Sequence, residues 1–246
     1  MSTVKEYIAE KIKKGTVHIT LLDPDKQNSE EAGRLALRMK EAGTDAFLIG
    51  GSTGVTTENL SATAKAVKAA TGLPAIYFPS SPKALSRDVD CILFMSIVNA
   101  GDPLYVTRGQ AMAAPYIKKL GVECISMAYI IVEPGMTVGR VTKAALVPHD
   151  DPQTAVGYAE AAELFGMQLV YLEAGSGADR PVDPAMIAAV KKSIGVPLIV
   201  GGGIRTPAAA AAAREAGADI IVTGTFVETC SDTQVLKAVV SAAKGA

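Results

Sequence analysis

Asp23 and Asp25, in Leu22-Asp-Pro-Asp-Lys26, place two carboxylates two residues apart. Paired carboxylates of this kind suit a hard cation such as Mg2+, which takes oxygen donors and keeps several waters. The hydroxyl of Ser52, after Gly50-Gly51, can complete such a set. The other reading of Asp-Pro-Asp is a turn whose charges favour a helix start. Farther on, Tyr171-Leu-Glu-Ala-Gly-Ser-Gly177, Gly201-Gly-Gly-Ile-Arg205 and Thr223-Gly-Thr225 each combine glycine with polar groups. Glycine lets backbone N–H groups approach a phosphate closely, and hydroxyls add donors. The simpler reading of each glycine is a tight turn, but three such loops in succession point to an anion. Glu173 lies inside the first of these motifs. A carboxylate there needs a purpose, because burying one is costly. It is either a general base or an ion-pair partner for Lys26 or Arg205. His18 and His149 read as structural.

These groups need a scaffold that gathers them. Eight apolar, β-rich runs recur along the chain: Val17–Leu22, Ala46–Gly50, Ala75–Phe78, Cys91–Met95, Cys124–Val132, Leu169–Glu173, Leu198–Gly201 and Ile220–Thr223. Continuous apolar runs are what parallel strands buried on both faces require. Helical stretches alternate with them, at Ser29–Ala42, Thr57–Ala70, Pro103–Leu120, Pro152–Phe165, Pro184–Ser193, Pro207–Ala216 and Asp232–Ala243. Several close on glycine, among them Gly43, Gly72, Gly121 and Gly195, as a left-handed cap would. Val4, Ile8 and Ile12 add an apolar stripe on a first helix. The pattern predicts a (β/α)8 TIM barrel, with an open doubly wound sheet as the alternative. It predicts one domain over residues 1–246. The link Pro79–Val89 is too short and too rich in proline for a crossover helix, so an extended segment is expected after the third strand. In such barrels the site lies at the C-terminal strand ends, where Asp23, Ser52, Glu173 and the glycine-rich motifs fall.

Composition bounds the function. Lys plus Arg total 24 against 25 Asp plus Glu, a net charge of −1 that argues against a broad nucleic-acid surface. No apolar run approaches the ~18 residues of a spanning helix, and residues 1–15 mix Lys with Glu, unlike a secretory signal. A cytoplasmic protein with at most transient membrane contact is expected. Cys91, Cys124 and Cys230 suit neither a disulfide framework nor a zinc site, and the first two are expected in the core.

In order, His18-Ile-Thr-Leu-Leu-Asp-Pro-Asp-Lys26, Ile49-Gly-Gly-Ser52, Phe78-Pro-Ser-Ser-Pro82, Tyr129-Ile-Ile-Val-Glu-Pro-Gly135, Tyr171-Leu-Glu-Ala-Gly-Ser-Gly177, Gly201-Gly-Gly-Ile-Arg205 and Gly224-Thr225 resemble the geranylgeranylglyceryl phosphate synthase family. The resemblance implies a prenyltransferase that joins sn-glycerol 1-phosphate to geranylgeranyl diphosphate, releases pyrophosphate and uses Mg2+, forming the first ether of archaeal membrane lipids. It implies that Asp23 and Ser52 ligate Mg2+. It implies that Tyr171, Leu172, Glu173, Ala174, Gly175, Ser176, Gly177, Gly202, Gly203, Gly224 and Thr225 hold glycerol phosphate, with Glu173 the candidate base. Leu21 departs from a subset of the family that carries Lys there, which removes one phosphate contact. A homo-oligomer, dimer or hexamer, is expected. The missing helix would open a prenyl groove near Phe78, Ile97 and Tyr105, with Tyr105 as the stop for a C20 tail. The rivals are a phosphosugar isomerase or lyase on the same barrel, a non-catalytic phosphate-binding module, and a bacterial-type heptaprenylglyceryl phosphate synthase.

Overall fold

A computed structural model describes residues 3–51 and 53–245. Strands β1 (Val17–Leu22), β2 (Ala46–Ile49), β3 (Ala75–Tyr77), β4 (Cys91–Ile97), β5 (Glu123–Ile131), β6 (Leu169–Glu173), β7 (Leu198–Gly201) and β8 (Ile220–Thr223) all pair in parallel with their sequence neighbours. β8 returns to β1 in the register Val17↔Ile220 to Thr20↔Thr223, and the barrel closes. Alternate side chains turn to opposite faces of each strand. Val17, Ile19, Leu48, Ile76, Leu93, Met127, Tyr171, Ile199 and Val222 fill the interior. Leu22, Phe47, Ile92, Val170 and Ile221 face outward, into two clusters under the surrounding helices.

Those helices are α1 (Val4–Ile12), α2 (Ser29–Ala42), α3 (Thr57–Thr71), α4 (Gly109–Leu120), α5 (Met136–Thr142), α6 (Pro152–Leu164), α7 (Pro184–Ser193), α8 (Pro207–Glu215), α9 (Thr225–Thr229) and α10 (Thr233–Lys244). Their ends are specified locally. Asn28 and Glu31 form a capping box on α2, as Thr56 and Asn59 do on α3. Asp151-Pro152, Asp183-Pro184 and Thr206-Pro207 open α6, α7 and α8 with a side-chain cap and a proline that needs no N–H partner. Helix α1 lays Val4 and Ile8 against the interior cluster, and Glu123 of β5 accepts its Val4 and Lys5 amides at 2.6 and 2.9 Å.

As expected, no helix joins β3 to β4. Residues 78–90 run without one, and Ala84 and Val89 are buried against the cluster that includes α3. Asp90 accepts the Ala75 amide at 2.9 Å and pairs with Lys68 of α3 at 3.0 Å, which anchors the segment without helical hydrogen bonds. Four expectations need correction. The stretch Pro103–Leu120 is a π turn over Leu104–Arg108 followed by α4. Helices α5 and α9 occupy stretches read as loops. Gly195 follows a cap in extended conformation at Ile194 and is no left-handed cap; its amide goes instead to Glu163. Cys124 is exposed at the start of β5, unlike the buried Cys91, because β5 begins two residues before its first interior side chain, Ile125.

Candidate active site

The C-terminal ends of β6, β7 and β8 converge on one pocket, lined by Leu21, Tyr171, Glu173, Ser176, Gly177, Gly202, Gly203, Arg205, Gly224, Thr225 and Phe226, among others. Its walls are tied to one another. Ser176 and Thr225 share a 2.7 Å hydrogen bond between hydroxyls, and Arg205 Nη2 donates to the Gly177 carbonyl at 2.5 Å. Gly202 has φ +82°, and a Cβ there would overlap Glu173 Oε1 and lie 2.7 Å from the Gly175 nitrogen. Only glycine lets this loop close on its neighbour. The short helix α9 starts at Thr225, so the pocket sits where barrels of this class commonly hold phosphate. Leu21 lies beside Gly224 and gives that wall an apolar face.

Glu173 closes β6 at 6% exposure. Its Oε1 accepts the Gly175 amide at 2.7 Å, and the neighbouring Tyr129 and Tyr171 hydroxyls favour its charged form. Burial raises its pKa above the ordinary glutamate value despite these three neighbours. A carboxylate of this kind accepts a proton more readily than an exposed one. Neither Lys26 nor Arg205 pairs with it, so the ion-pair reading of Glu173 is set aside. Tyr129 and Tyr171 are register partners across β5 and β6, with ring centroids 4.9 Å apart. Phe78 meets the two rings at 5.4 and 5.9 Å. An aromatic wall thus stands beside the carboxylate. The sequence marks Tyr129 only as part of the motif Tyr129–Gly135 and assigns it no role. The parity of β5, with Ile125, Met127 and Ile131 also inward, is the signal that could have found it.

Asp23, just past β1, is half-buried. Its Oδ1 accepts the Asp25 amide at 3.1 Å, and Lys26 Nζ lies 3.6 Å from its Oδ2. Burial raises its pKa, Lys26 notwithstanding. A Cβ on Gly51 would overlap this carboxylate, so the glycine leaves the Asp23 oxygens room at the end of β2. Ser52 lies outside the described residues. Asp25 lies against Gly54, in the same loop. Glu228, from α9, was missed: its Oε2 takes Lys26 at 3.0 Å and its Oε1 accepts the Asp23 amide at 3.1 Å. Burial works against the Lys26 charge, yet Glu228 and Asp23 hold its pKa above the ordinary value. A desolvated carboxylate that Gly51 lets lie against the end of β2 fits Mg2+, a cation that needs few protein ligands when a substrate phosphate supplies others. Among the described residues no group of three or more His, Cys, Asp or Glu forms a complete protein cage.

Phe78 and Tyr105 pack against the interior cluster at the barrel mouth, and Ile97, 3% exposed, belongs to that cluster itself. None of the three lines the larger cleft of 610 Å³ on the outer side, between the helix-free segment (Pro82, Leu85, Arg87) and α4 (Met112, Tyr116, Leu120). His18 and His149 hold structure. His18 bonds Thr44 and Thr223 at 3.0 Å each, and His149 reaches the Pro181 carbonyl at 3.2 Å.

A model of the PcrB family matches residues 8–243. The chain belongs to the PcrB family. Among PcrB-family relatives, the geranylgeranylglyceryl phosphate synthase of Thermococcus gammatolerans is 52% identical over 225 residues, 92% of this chain and 89% of that protein. The crystal structure of (S)-3-O-geranylgeranylglyceryl phosphate synthase from Thermoplasma acidophilum in complex with substrate sn-glycerol-1-phosphate superposes with a TM-score of 0.96 at 44% identity, covering 100% of both chains. The wild-type GGGPS of Thermoplasma volcanium gives 0.94 at 40% identity over 100% of this chain and 99% of that one. No helix among the described residues of this PcrB-family chain is long and apolar enough to cross a membrane.

Proposed function

We propose that the chain is a prenyltransferase that joins sn-glycerol 1-phosphate to geranylgeranyl diphosphate. The observation that carries this reading is the buried Glu173 at the edge of a pocket built from three glycine-rich strand ends. The T. acidophilum relative, whose structure contains sn-glycerol-1-phosphate, supports the same acceptor here. The loops 174–177, 202–205 and 224–226 hold the phosphate through backbone N–H groups, Ser176 and Thr225. The glycerol end then lies toward Glu173, whose carboxylate takes the proton of the hydroxyl. That oxygen forms a bond to C1 of the prenyl chain as the bond from C1 to the diphosphate oxygen breaks. The diphosphate leaves with the electron pair. The faces of Tyr129, Tyr171 and Phe78 keep water from the reacting carbon. Asp23 with Ser52 would hold Mg2+, which when bound supplies charge neutralisation for the leaving diphosphate.

The tail is read as running over the apolar mouth past Phe78, with Tyr105 as its stop. Each isoprene unit beyond a stop forfeits burial worth ~0.8 kcal/mol per CH2, so a C20 donor is favoured over C35. A phosphosugar isomerase or lyase has no use for the desolvated Asp23 at the end of β1 or for the aromatic wall. Glu173→Gln keeps the hydrogen-bonding shape and removes the base. It should lower kcat by roughly 10²–10⁴-fold with the KM for glycerol phosphate little changed. A change confined to KM would leave Glu173 a binding group and remove its role as base.

A further inference from the structure

A π turn at the start of an α-helix is rare and often marks a functional position. The turn Leu104–Arg108 closes through the Gly109 amide to the Leu104 carbonyl. Three residues favour that register. Ser96, on the outer face of β4 and 8% exposed, donates to the Val106 carbonyl at 2.6 Å. Gln110 donates through Nε2 to the Tyr105 carbonyl at 3.0 Å and to the Met95 carbonyl at 2.6 Å, tying turn to strand. Its Oε1 is buried without a hydrogen-bond partner, so the amide is placed for its donors alone. Gly109 has an ordinary helical φ of −62°. Yet a Cβ there would lie 2.8 Å from the Leu104 carbonyl oxygen, the atom that closes the π ring. Alanine at 109 is compatible with a helix and incompatible with this turn.

Resting on the reading of Tyr105 as the tail stop, we propose that Ser96, Gly109 and Gln110 are positioning residues for prenyl-length selection. They hold the turn in π register and so hold the Tyr105 ring against the interior cluster at the mouth. Each helical residue advances about 100° around the axis, so relaxation to an α register would swing Tyr105 from its place and uncover the path beyond it. The substrate class selected is the linear polyprenyl diphosphate, and the selected property is its length.

The test compares kcat/KM for C35 and C20 prenyl diphosphates, with sn-glycerol 1-phosphate and Mg2+, in the parent chain and in Tyr105→Ala, Gly109→Ala, Ser96→Ala and Gln110→Leu. Thermal melts confirm folding. Tyr105→Ala should raise the C35-to-C20 ratio about tenfold or more. Gly109→Ala is the sharpest arm, since alanine is the better helix former. It should raise the ratio at least about threefold while retaining use of C20, with Ser96→Ala and Gln110→Leu moving it the same way. Combining Gly109→Ala with Tyr105→Ala should add little, because both act through one ring. An unmoved ratio in the three turn variants, beside a shifted one in Tyr105→Ala, overturns the positioning role and leaves the stop intact. An unmoved ratio in Tyr105→Ala removes the stop and this inference with it.

Discussion

Glu173 and Asp23 are both carboxylates that burial pushes toward their neutral forms, and they differ in what surrounds them. Glu173 takes the Gly175 amide and has the Tyr129 and Tyr171 hydroxyls nearby, with no ion-pair partner among the described residues, so its charge rests on polar neighbours that a reacting hydroxyl can join. Asp23 has Lys26 at 3.6 Å and lies close against Gly51, and the proposed Mg2+ beside it would relieve its desolvation. Asp23→Asn should therefore keep the fold and lose most turnover, because a neutral amide is a poorer Mg2+ ligand. Near-normal rates of that variant at limiting Mg2+ would contradict a metal role. At this scale, the residues flanking each strand end could be read from the chain, because strand parity and glycine spacing mark them locally. Glu228 could not. It sits on a five-residue helix too short to show any periodicity, and its partners Asp23 and Lys26 lie about two hundred residues away in sequence.

The elements explain why the pocket is narrow and fixed. Loop 174–177 threads against loop 202–205 with Gly202 at φ +82° under the Glu173 carboxylate. Gly202→Ala adds a left-handed-region cost of roughly 1–2 kcal/mol and a clash with that carboxylate. The expected result is a folded protein of lower Tm whose kcat/KM for glycerol phosphate falls at least about 10²-fold. Full activity with normal KM would show that the loops do not need this approach. The eight strands, their order and the helix-free link after β3 followed from apolar runs, glycine stops and the prolines of 79–89. The π turn, α5 and α9 did not, for a physical reason. The π turn is held by Ser96 on β4, and α5 and α9, of seven and five residues, are too short to show a period of their own.

Across the whole molecule, chemistry and stability are placed at opposite ends of the barrel. At the N-terminal end, Asp45, 3% exposed, joins Lys11 of α1 and Lys244 of α10 at 3.0 and 2.8 Å and accepts the His18 amide. One carboxylate thereby ties the first and last helices to β1. Behind it His18 is fully buried between Thr44 and Thr223, and burial lowers its pKa from 6.5 to about 4. The native state thus resists a proton that the unfolded chain accepts. This stability, worth roughly 3 kcal/mol, is complete above pH 6.5 and is lost as pH falls from there toward 4. Tm should drop across that window, and more steeply than in His18→Gln; parallel slopes would remove His18 as the cause. At the other end, all that the proposed reaction requires meets at one mouth: a phosphate pocket, a buried base, a half-buried carboxylate for a cation and an apolar lip. The most direct measurement of that claim uses sn-glycerol 1-phosphate carrying the radiolabel, incubated with the protein, Mg2+ and geranylgeranyl diphosphate and then extracted into organic solvent. Label should pass to the organic phase with one pyrophosphate released per molecule transferred. Label that stays in water, unchanged or as another water-soluble phosphate, would contradict the prenyl-transfer account.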